Sequence, residues 1–455
     1  MTKTIVVTGA TGFVGKKLCL ELLLKGYDLK ILSRNLNRAR EILQIPATFL
    51  QWDGKSEVPT DYFEGAHAVI HLAGEPIADN RWSEKVKSSI LSSRKDGTNA
   101  LVKSISKCKF PPRILIGTSA IGIYGSRGDE LLNEGSSSAS GFLADVCKEW
   151  EKAYEGFSGK LAILRVGVVL GFGGALEKML PPFRLGGGGI LASGKQWMSW
   201  IHHEDLVRLY IHALENDNFS GTFNATAPVP VANREFTSAM GKALSRPVIF
   251  PVPAVALKLI FGEMSEVLLG SQRVSSERAV SQGFKFHFPD INSALNDLLR
   301  PLGKVAGYVH EAVKWIPYTT EEVFPFFSEA RNLEKITPPW LNFRILKVST
   351  PEIQEGTLID YKLRIKGVPA RWRTRISAWN PIDSFVDEQL KGPYKLWHHT
   401  HKFIPMKNGT LMTDKVVYQM PFGILGDFVR LVLVHRDIKT IFGYRSKVIE
   451  SLFRT

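Results

Sequence analysis

The sequence lacks the features that mark secreted and membrane-spanning proteins. Its 455 residues include only three cysteines, Cys19, Cys108 and Cys147, an odd number without metal-ligand spacing. This argues against a disulfide framework and favours a reducing compartment. No apolar run reaches the roughly 18 residues that a membrane-spanning helix requires. Because the first predicted strand begins at residue 4, no room is left for a signal peptide. We therefore expect a cytoplasmic protein with no transmembrane segment.

The composition is otherwise typical of a soluble globular protein, with 44% hydrophobic and 22% charged residues. The length predicts two or three domains. The formal net charge of +14 could favour nucleic acid, a membrane surface or an anionic ligand. The chain carries neither a base-stacking motif nor a recognition helix, so we expect no nucleic-acid partner. The sequence specifies no oligomeric state.

The first fifteen residues combine a strand, a glycine-rich turn and the start of a helix. Thr4–Thr8 indicates a buried strand, Gly9–Gly15 follows at once, and a helix runs through Lys17–Leu23. Glycines let a backbone approach a pyrophosphate closely, and a helix N-terminus offers N–H groups and a positive dipole end. The pattern predicts dinucleotide binding. The predicted binding residues of this turn are Thr8, Gly9, Thr11, Gly12, Phe13, Val14 and Gly15.

The end of the second predicted strand, Asp28–Leu32, bears on the choice of cofactor. A site selective for NAD usually places an acidic residue there for the ribose hydroxyls. This chain has Ser33 and Arg34 instead, with Arg38 one helical turn further on. Arginine offers a planar donor fork that suits the 2′-phosphate of NADP. We predict NADP rather than NAD, the alternative being that both arginines simply face solvent.

Strand and helix patterns continue to alternate, which predicts an α/β domain with a Rossmann-type, doubly wound parallel sheet. The strand Thr48–Trp52 ends at Asp53, whose carboxylate could reach the adenine amino group. The strand Ala68–Leu72 leads into small residues that let a ribose and nicotinamide lie against the backbone. A long helix is predicted over Ser83–Ser106, then a strand over Arg113–Ile116 with hydroxyls beyond its end. The predicted cofactor residues at these strand ends are Ser33, Arg34, Arg38, Asp53, Leu72, Ala73, Gly74 and Glu75.

The sequence resembles the extended short-chain dehydrogenase/reductase superfamily. The resemblance rests on the glycine spacing of the opening turn, His71–Gly74 and Ser119–Gly125, and it continues at Leu164–Arg165, Leu170–Gly171 and Trp200–Leu206. The segments Gly74–Ile77 and Lys148–Glu151 are similar to an epimerase-type subfamily that carries a short C-terminal signature, here at about 250–300. The resemblance covers nearly all of residues 1–300. It implies an NADP-binding domain of the oxidoreductase or epimerase class.

One departure from that superfamily concerns proton transfer. Its members pair a Tyr with a Lys four residues later, and the Lys lowers the pKa of the phenol. None of the eleven tyrosines here has a Lys at that spacing. Alignment on Glu151 places Leu143 and Cys147 at the two positions, whereas the partner hydroxyl, Ser119, is retained. Either another group supplies the proton, or the domain binds NADP without turning it over. The catalytic candidates are Ser119, Tyr124, Glu75 and Lys148.

Residues 1–300 contain two further features, a glycine run and a pair of histidines. The glycine run Gly186–Gly189 predicts a mobile loop that covers the substrate side, or a plain connector. His202 and His203 are adjacent and lack carboxylate or cysteine spacing, and we predict no metal site. A closing helix over Asp290–Leu299 and a linker at 301–309 end this part of the chain.

The alternation of helices and strands stops after the linker. The pattern predicts a strand at Tyr308–Ile316, a helix from Thr320, a series of strands with period-two alternation and a last helix over Leu425–Phe453. Along two of these strands cations such as Lys362 and Arg373 alternate with apolar residues such as Leu363 and Trp372. Solvated faces of an antiparallel sheet therefore explain the basic charge. The strands of this series are predicted at Thr357–Ile365, Trp372–Ala378, Ser384–Leu390, Lys395–Ile404 and Gly409–Gln419.

From Val313 onward the chain resembles the START/polyketide-cyclase-like (SRPBCC) superfamily. The resemblance rests on Asn332–Glu334, Gly392–Tyr394 and Trp397–His401. It implies an α+β helix-grip domain over 310–455, with an antiparallel sheet and a long C-terminal helix around a small hydrophobic ligand. His399 and His401 share one strand face, where catalysis is an alternative. The aromatic residues expected to line the cavity, or to fill the core, are Trp340, Trp372, Trp379, Trp397 and Phe403.

Together the two halves predict an NADP-dependent oxidoreductase or epimerase. The predicted substrate class is an apolar small molecule that the C-terminal domain holds or delivers. The alternative is a regulatory protein that binds NADPH and an apolar ligand without catalysis.

Overall fold

A computed structural model describes residues 2–303 and 306–453. The chain divides into two compact units, Met1–Leu298 and Leu299–Thr455. Lys304 and Val305, which belong to the predicted linker, lie outside the described residues. Every helix in the described ranges is too short or too polar to cross a membrane.

In its described residues the first unit has thirteen strands, seven of which form one parallel sheet. They are β1 (Thr4–Thr8), β2 (Asp28–Ser33), β3 (Thr48–Gln51), β4 (Ala68–His71), β5 (Ile114–Ala120), β6 (Leu131–Leu132), β7 (Lys160–Val166), β8 (Val168–Leu170), β9 (Trp197–Met198), β10 (Trp200–His202), β11 (Gly221–Ala225), β12 (Val231–Ala232) and β13 (Arg273–Val274). The sheet order is β11-β7-β5-β4-β1-β2-β3. The strand order reverses between β1 and β4, and ligands of such sheets bind at the carboxyl ends of the strands there. The predicted parallel sheet is confirmed.

Helices cover this sheet, so its central strands are apolar on both faces. Ile5, Val6 and Val7 of β1 are fully buried, as expected for a parallel strand packed on two sides. The helices of the unit are α1 (Phe13–Leu24), α2 (Leu36–Leu43), α3 (Glu84–Ser106), α4 (Phe142–Lys152), α5 (Ala175–Arg184), α6 (His203–Glu215), α7 (Asn233–Leu244), α8 (Ala254–Phe261), α9 (Glu266–Leu269), α10 (Glu277–Ser281) and α11 (Ile291–Leu299).

The structure corrects the predicted end of β5. The sequence placed it at Ile116, because Gly117 and the hydroxyl residues after it are typical of a loop. The strand continues to Ala120, since pairing with β7 extends to Ala120 opposite Val166. Ser119 therefore stands in a strand, with its backbone paired to Arg165 of β7.

The glycine run also differs from the predicted mobile loop. Gly188 and Gly189 are buried. A Cβ on Gly188 would overlap the ring of Phe183, and one on Gly189 would overlap the carbonyl oxygen of Phe250. Glycine is needed here because two segments pack too closely for a side chain.

The second unit is a seven-stranded antiparallel sheet with helices at its beginning and end. Its strands are β14 (Tyr308–Ile316), β15 (Arg344–Val348), β16 (Leu358–Ile365), β17 (Val368–Asn380), β18 (Ser384–Lys391), β19 (Leu396–Met406) and β20 (Gly409–Gln419). The sheet order is β14-β20-β19-β18-β17-β16-β15. Its helices are α12 (Thr320–Ser328), α13 (Asn332–Ile336), α14 (Gly423–Val429) and α15 (His435–Leu452). A π-helical turn, Arg430–Val434, joins the last two into one helical segment.

The predicted antiparallel sheet and C-terminal helix are confirmed, and so is the alternation of faces. Lys362 and Arg373 are exposed, whereas Leu363 and Trp372 are buried. The C-terminal helix packs on the buried face, where Ile449 joins a core cluster with Phe403 and other apolar residues. The strand β15 was not predicted, and both its ends and its bulge are set by pairing with β16.

Candidate functional site

The turn between β1 and α1 has the close packing that a pyrophosphate cradle requires. Gly9 has φ +69°, and a Cβ there would lie 2.7 Å from the carbonyl carbon of Leu72. A Cβ on Gly15 would overlap the carbonyl oxygen of Gly9. Both positions therefore need glycine, one for its left-handed backbone and its contact with the end of β4, the other for contact between helix and turn.

The helix start leaves its first turn accessible to an anion. Gly12 is the N-cap of α1, and no side chain caps the helix. Gly12 is itself exposed, and Thr11, Phe13 and Val14 are half-buried around it. Backbone N–H groups at such a terminus, together with the helix dipole, favour a phosphate. The Phe13 side chain points elsewhere, because its ring packs against the loop Gly171–Gly174.

Thr8 plays a different part from the predicted contact with the cofactor. Its hydroxyl is fully buried, lies 2.7 Å from Nδ1 of His71 and accepts a hydrogen bond from the N–H of Ala73. The other ring nitrogen of His71 lies 3.1 Å from the hydroxyl of Thr98. Burial lowers the pKa of His71 to about 4, so the ring is neutral at physiological pH. This relay ties β1, β4 and α3 together and holds the backbone of Leu72 and Ala73 beside the cradle.

At the tip of β2, Arg34 and Glu75 form an exposed ion pair. The Arg34 guanidinium lies 3.7 Å from the Glu75 carboxylate, and its side chain is 74% exposed. Arg38 follows on α2, whose N-cap is Asn35. Ser33 hydrogen-bonds the backbone of Asn35 through its hydroxyl. The predicted cationic tip is thus present, and the Glu75 carboxylate is drawn toward it.

Asp53 is exposed beyond the end of β3. One of its carboxylate oxygens accepts hydrogen bonds from the backbone N–H groups of Lys55 and Ser56. These bonds lower the pKa of Asp53. The residue therefore forms a turn of its own, and its second oxygen remains for the predicted contact with adenine.

The end of β5 brings together Ser119 and the two residues that replace the Tyr–Lys pair. A Cβ on Gly122 would lie 3.5 Å from Cβ of Leu143 and 3.7 Å from Sγ of Cys147, so both side chains face this end of the strand. Burial raises the pKa of Cys147 to about 11, so the thiol keeps its proton at neutral pH. Ser119 is 1% exposed, and its hydroxyl has no well-formed hydrogen bond in the described part of the chain, although it lies near the thiol.

The geometry argues against Tyr124 as the proton donor. Its hydroxyl is fully buried, donates to Asn224 Oδ1 at 2.7 Å and accepts from Arg165 at 2.8 Å. Arg165 is in turn held by a two-pronged ion pair with Glu151. Burial raises the pKa of Tyr124. The phenol is therefore part of a structural network.

Two other candidates have local partners. Lys148 lies on the surface of α4 and pairs with Asp145 at 2.6 Å, as solvated helical residues do. The backbone N–H of Glu75 is bound by the hydroxyl of Ser93, and its carboxylate faces Arg34. In the described residues, neither the Lys148 ammonium group nor the Glu75 carboxylate forms a hydrogen bond to Ser119.

Sequence reasoning missed Arg94, which lies beside the nicotinamide-side residues. Its guanidinium donates to the carbonyls of Glu75 and Ile90 and lies 4.9 Å from the ring centre of Trp150. A Cβ on Gly74 would lie 3.2 Å from its central carbon. Of the described carboxylates, none is within ion-pair distance of it. The exposed Gly74 leaves space next to this half-buried cation. Only the fold shows that Arg94 lies there, because Gly74 and Arg94 are 20 residues apart in the sequence.

The second unit encloses a cavity of about 600 Å³ between the buried face of the sheet and the C-terminal helix. This is the size of a pocket for one small molecule. Trp340, Trp372 and Trp397 line it as predicted, and Ile438 and Arg445 contribute from the helix. Trp379 and Phe403 do not; they pack in the core cluster nearby.

Comparisons with known proteins agree with the architecture of the first unit. A family model described as "NAD dependent epimerase/dehydratase family" matches residues 5–225, and one described as "Domain of unknown function (DUF1731)" matches residues 252–298. The second match confirms the predicted C-terminal signature region. The nicotinamide dinucleotide cofactor is confirmed at the level of the family.

Individual relatives match the same part of the chain. "Epimerase family protein YfhF" of Bacillus subtilis is 38% identical over 299 residues, which are 65% of this chain and 97% of that protein. The chloroplastic SDR39U1 homolog of Arabidopsis thaliana is 38% identical over 307 residues, 65% of this chain and 87% of that protein. The crystal structure of human epimerase family protein SDR39U1 with NADPH is 32% identical, with a TM-score of 0.59, and covers 65% of this chain and 98% of that one. This chain belongs to the NAD-dependent epimerase/dehydratase family.

Proposed function

We propose that the first unit is an NADP-dependent oxidoreductase or epimerase for an apolar small molecule, which the second unit holds or delivers. The observation that carries the proposal is the cradle formed by Gly9, Gly12 and Gly15 at an uncapped helix start. A related human protein was solved with NADPH. Arg34 at the tip of β2 supports NADP over NAD, because a guanidinium fork suits a phosphate.

The residues at the end of β5 support carbonyl or alcohol chemistry. When bound, NADPH would supply a hydride to the carbon of a carbonyl group. The Ser119 hydroxyl is buried and lacks a well-formed hydrogen bond, so it is suited to donate one to the carbonyl oxygen. The nearby Arg94 guanidinium would stabilise negative charge on that oxygen. The proton would then come from solvent, because Leu143, at the position of the usual tyrosine, has none to give.

The surroundings of the missing tyrosine favour an apolar substrate. Leu143 packs in a cluster with Trp82, Val146 and other apolar residues. The second unit adds a largely apolar cavity, which supports the assignment to the START-like superfamily. The simplest explanation is that the two units bind the same class of apolar ligand.

Single-turnover oxidation of NADPH tests the catalytic part of the proposal. The full chain would be loaded with NADPH and mixed with fractionated lipid extracts, and the reduced nicotinamide absorbance followed. We expect oxidation by the unaltered protein, a loss of at least tenfold in rate for Ser119→Ala, and none for Ser106→Ala. Ser106 is a matched control because its exposed hydroxyl only bonds the carbonyl of Lys103.

Delivery is tested by comparing the full chain with residues 1–298. The shorter chain is suitable because a relative made up almost wholly of this unit exists as a protein in its own right. We expect faster oxidation with the full chain at low extract concentration. Equal rates at every concentration would refute delivery without touching the catalytic proposal.

The second candidate function is a non-catalytic sensor of NADPH and an apolar ligand. The replacement of both the Tyr and the Lys positions favours it. It would be supported if each unit bound its ligand tightly while no extract oxidised the nucleotide.

A further inference from the structure

Four titratable side chains meet at the wall of the cavity in the second unit. Asp387 of β18 stands opposite His399 of β19, and His401 of β19 stands opposite Asp414 of β20. Side chains two residues apart on a strand share a face. The antiparallel register therefore brings both imidazoles and both carboxylates to the cavity side of the sheet.

The two imidazoles lie between the two carboxylates. Asp387 Oδ2 is 3.4 Å from Nδ1 of His399 and 3.0 Å from Nε2 of His401. Asp414 Oδ1 is 3.1 Å from Nε2 of His399 and 2.7 Å from Nδ1 of His401, the second contact lying off the N–H direction. Each ring thus presents one nitrogen to Asp387 and the other to Asp414.

The edge formed with Asp387 has the dimensions of a metal site. Donor atoms about 2.0–2.2 Å from a tetrahedral zinc ion are about 3.3–3.6 Å apart. The two separations from Asp387 Oδ2 are within a few tenths of an ångström of this range, and the three donor atoms all lie within 4.8 Å of one another. Among the His, Cys, Asp and Glu side chains of the described residues, Asp387, His399 and His401 are the group of three whose ligand atoms lie this close together.

Asp414 has the position of a supporting carboxylate. Metal-bound histidines usually donate their second nitrogen to a carboxylate, which fixes the ring and its tautomer. Asp414 faces the second nitrogen of both rings, and Arg445 lies 3.8 Å from it. The charges agree as well, because the buried Asp414 and the half-buried Asp387 face one guanidinium, that of Arg445, and a bound cation would offset the excess negative charge.

We propose that Asp387, His399 and His401 bind one divalent transition-metal ion at the wall of the cavity, with Asp414 positioning both imidazoles. Three protein ligands leave a coordination position open, and the three ligands line the cavity. The open position faces the ligand space and suits an oxygen atom at the polar end of an apolar ligand. Two histidines and a carboxylate suit Zn²⁺ or Fe²⁺. The sequence predicts no metal site, because the third ligand, Asp387, comes from a different strand and its position relative to the two histidines depends on strand pairing.

Cobalt and zinc binding by the full chain test the proposal. Purified protein would be stripped with a chelator and titrated with Co²⁺, with visible absorbance as the readout, and Zn²⁺ would be used to displace it. We expect one ion per chain. Asp387→Asn and His399→Gln should lower the affinity by at least a hundredfold, and Asp414→Asn by about 10- to 100-fold.

His398→Ala is the matched control. His398 belongs to the same strand and also pairs with a carboxylate, that of Glu388 at 2.9 Å, but it lies on the opposite face. Its binding should match the unaltered protein. Zn²⁺ should also raise the thermal unfolding temperature of the unaltered chain and of His398→Ala, but not of Asp387→Asn.

The proposal is overturned if the unaltered chain binds no stoichiometric Co²⁺, Zn²⁺ or, under anaerobic conditions, Fe²⁺. It is equally overturned if a folded Asp387→Asn or His399→Gln variant binds as tightly as the unaltered chain. In the first case the four side chains are a hydrogen-bonded cluster that holds a proton in place of a metal.

Discussion

Replacing Arg34 with alanine should convert a preference for NADPH into indifference between the two nucleotides. The guanidinium stands at the tip of β2, where the 2′-phosphate of NADP would lie, and its side chain is 74% exposed. A hydrogen bond to a charged group contributes about 1.5–3 kcal/mol. For so exposed a side chain we expect about 1.5 kcal/mol, or roughly tenfold in the NADPH dissociation constant.

The assay is calorimetric titration of residues 1–298 with NADPH and NADH at low and moderate salt. The NADH affinity should change less than about twofold, because its ribose carries no phosphate. Arg40→Ala is the control: it removes the same charge from α2, the helix that follows Arg34, but its guanidinium lies over the ring of Phe49. Glu75→Gln should strengthen NADPH binding a few-fold, because Glu75 competes for Arg34.

The reasoning fails if Arg34→Ala weakens both nucleotides alike or leaves NADPH binding unchanged. An equal effect of Arg40→Ala would also refute it, since general positive charge would then account for the preference. The difference between the variants should shrink as salt rises, because exposed charges are screened.

Three other substitutions probe the scaffold. Burial lowers the pKa of His71 to about 4 in the folded chain, whereas its value in the unfolded chain is about 6.5. The unfolded chain therefore binds the extra proton, and the free energy of unfolding falls as the pH drops through that window. In denaturant unfolding, His71→Asn should remove about 2 kcal/mol of the change in unfolding free energy between about pH 7.5 and about pH 5. Gly15→Ala should abolish NADPH binding because its Cβ overlaps the Gly9 carbonyl, whereas Gly443→Ala, which meets nothing, should leave it intact; retained affinity in Gly15→Ala would contradict the cradle. Tyr124→Phe should lower the free energy of unfolding by about 1–3 kcal/mol, because Arg165 and Asn224 each lose a buried hydrogen bond, while NADPH affinity stays within about twofold; a loss of turnover without loss of stability would restore a catalytic role.

The sequence by itself determined the features that depend on neighbours along the chain. Strand, turn and helix around Gly9–Gly15 are contiguous, and their steric demands follow from a few adjacent residues. The period-two alternation around Lys362 and Trp372 likewise fixed which face of the second sheet is buried, because side chains alternate on any strand.

Tertiary structure decided the features that depend on pairing between distant segments. The length of β5, and with it the place of Ser119, follows from hydrogen bonding to β7. The hydroxyl of Tyr124 is enclosed by Asn224, 100 residues away in the sequence, which no local pattern could indicate.

The cluster in the second unit shows the same division most clearly. The sequence placed His399 and His401 on one face, since they stand two positions apart on one strand. Only the register of three strands could set Asp387 and Asp414 on either side of the two rings. Register is fixed by burial of whole strand faces and by turn geometry rather than by the residues that meet, so the chemistry of that cavity belongs to the fold.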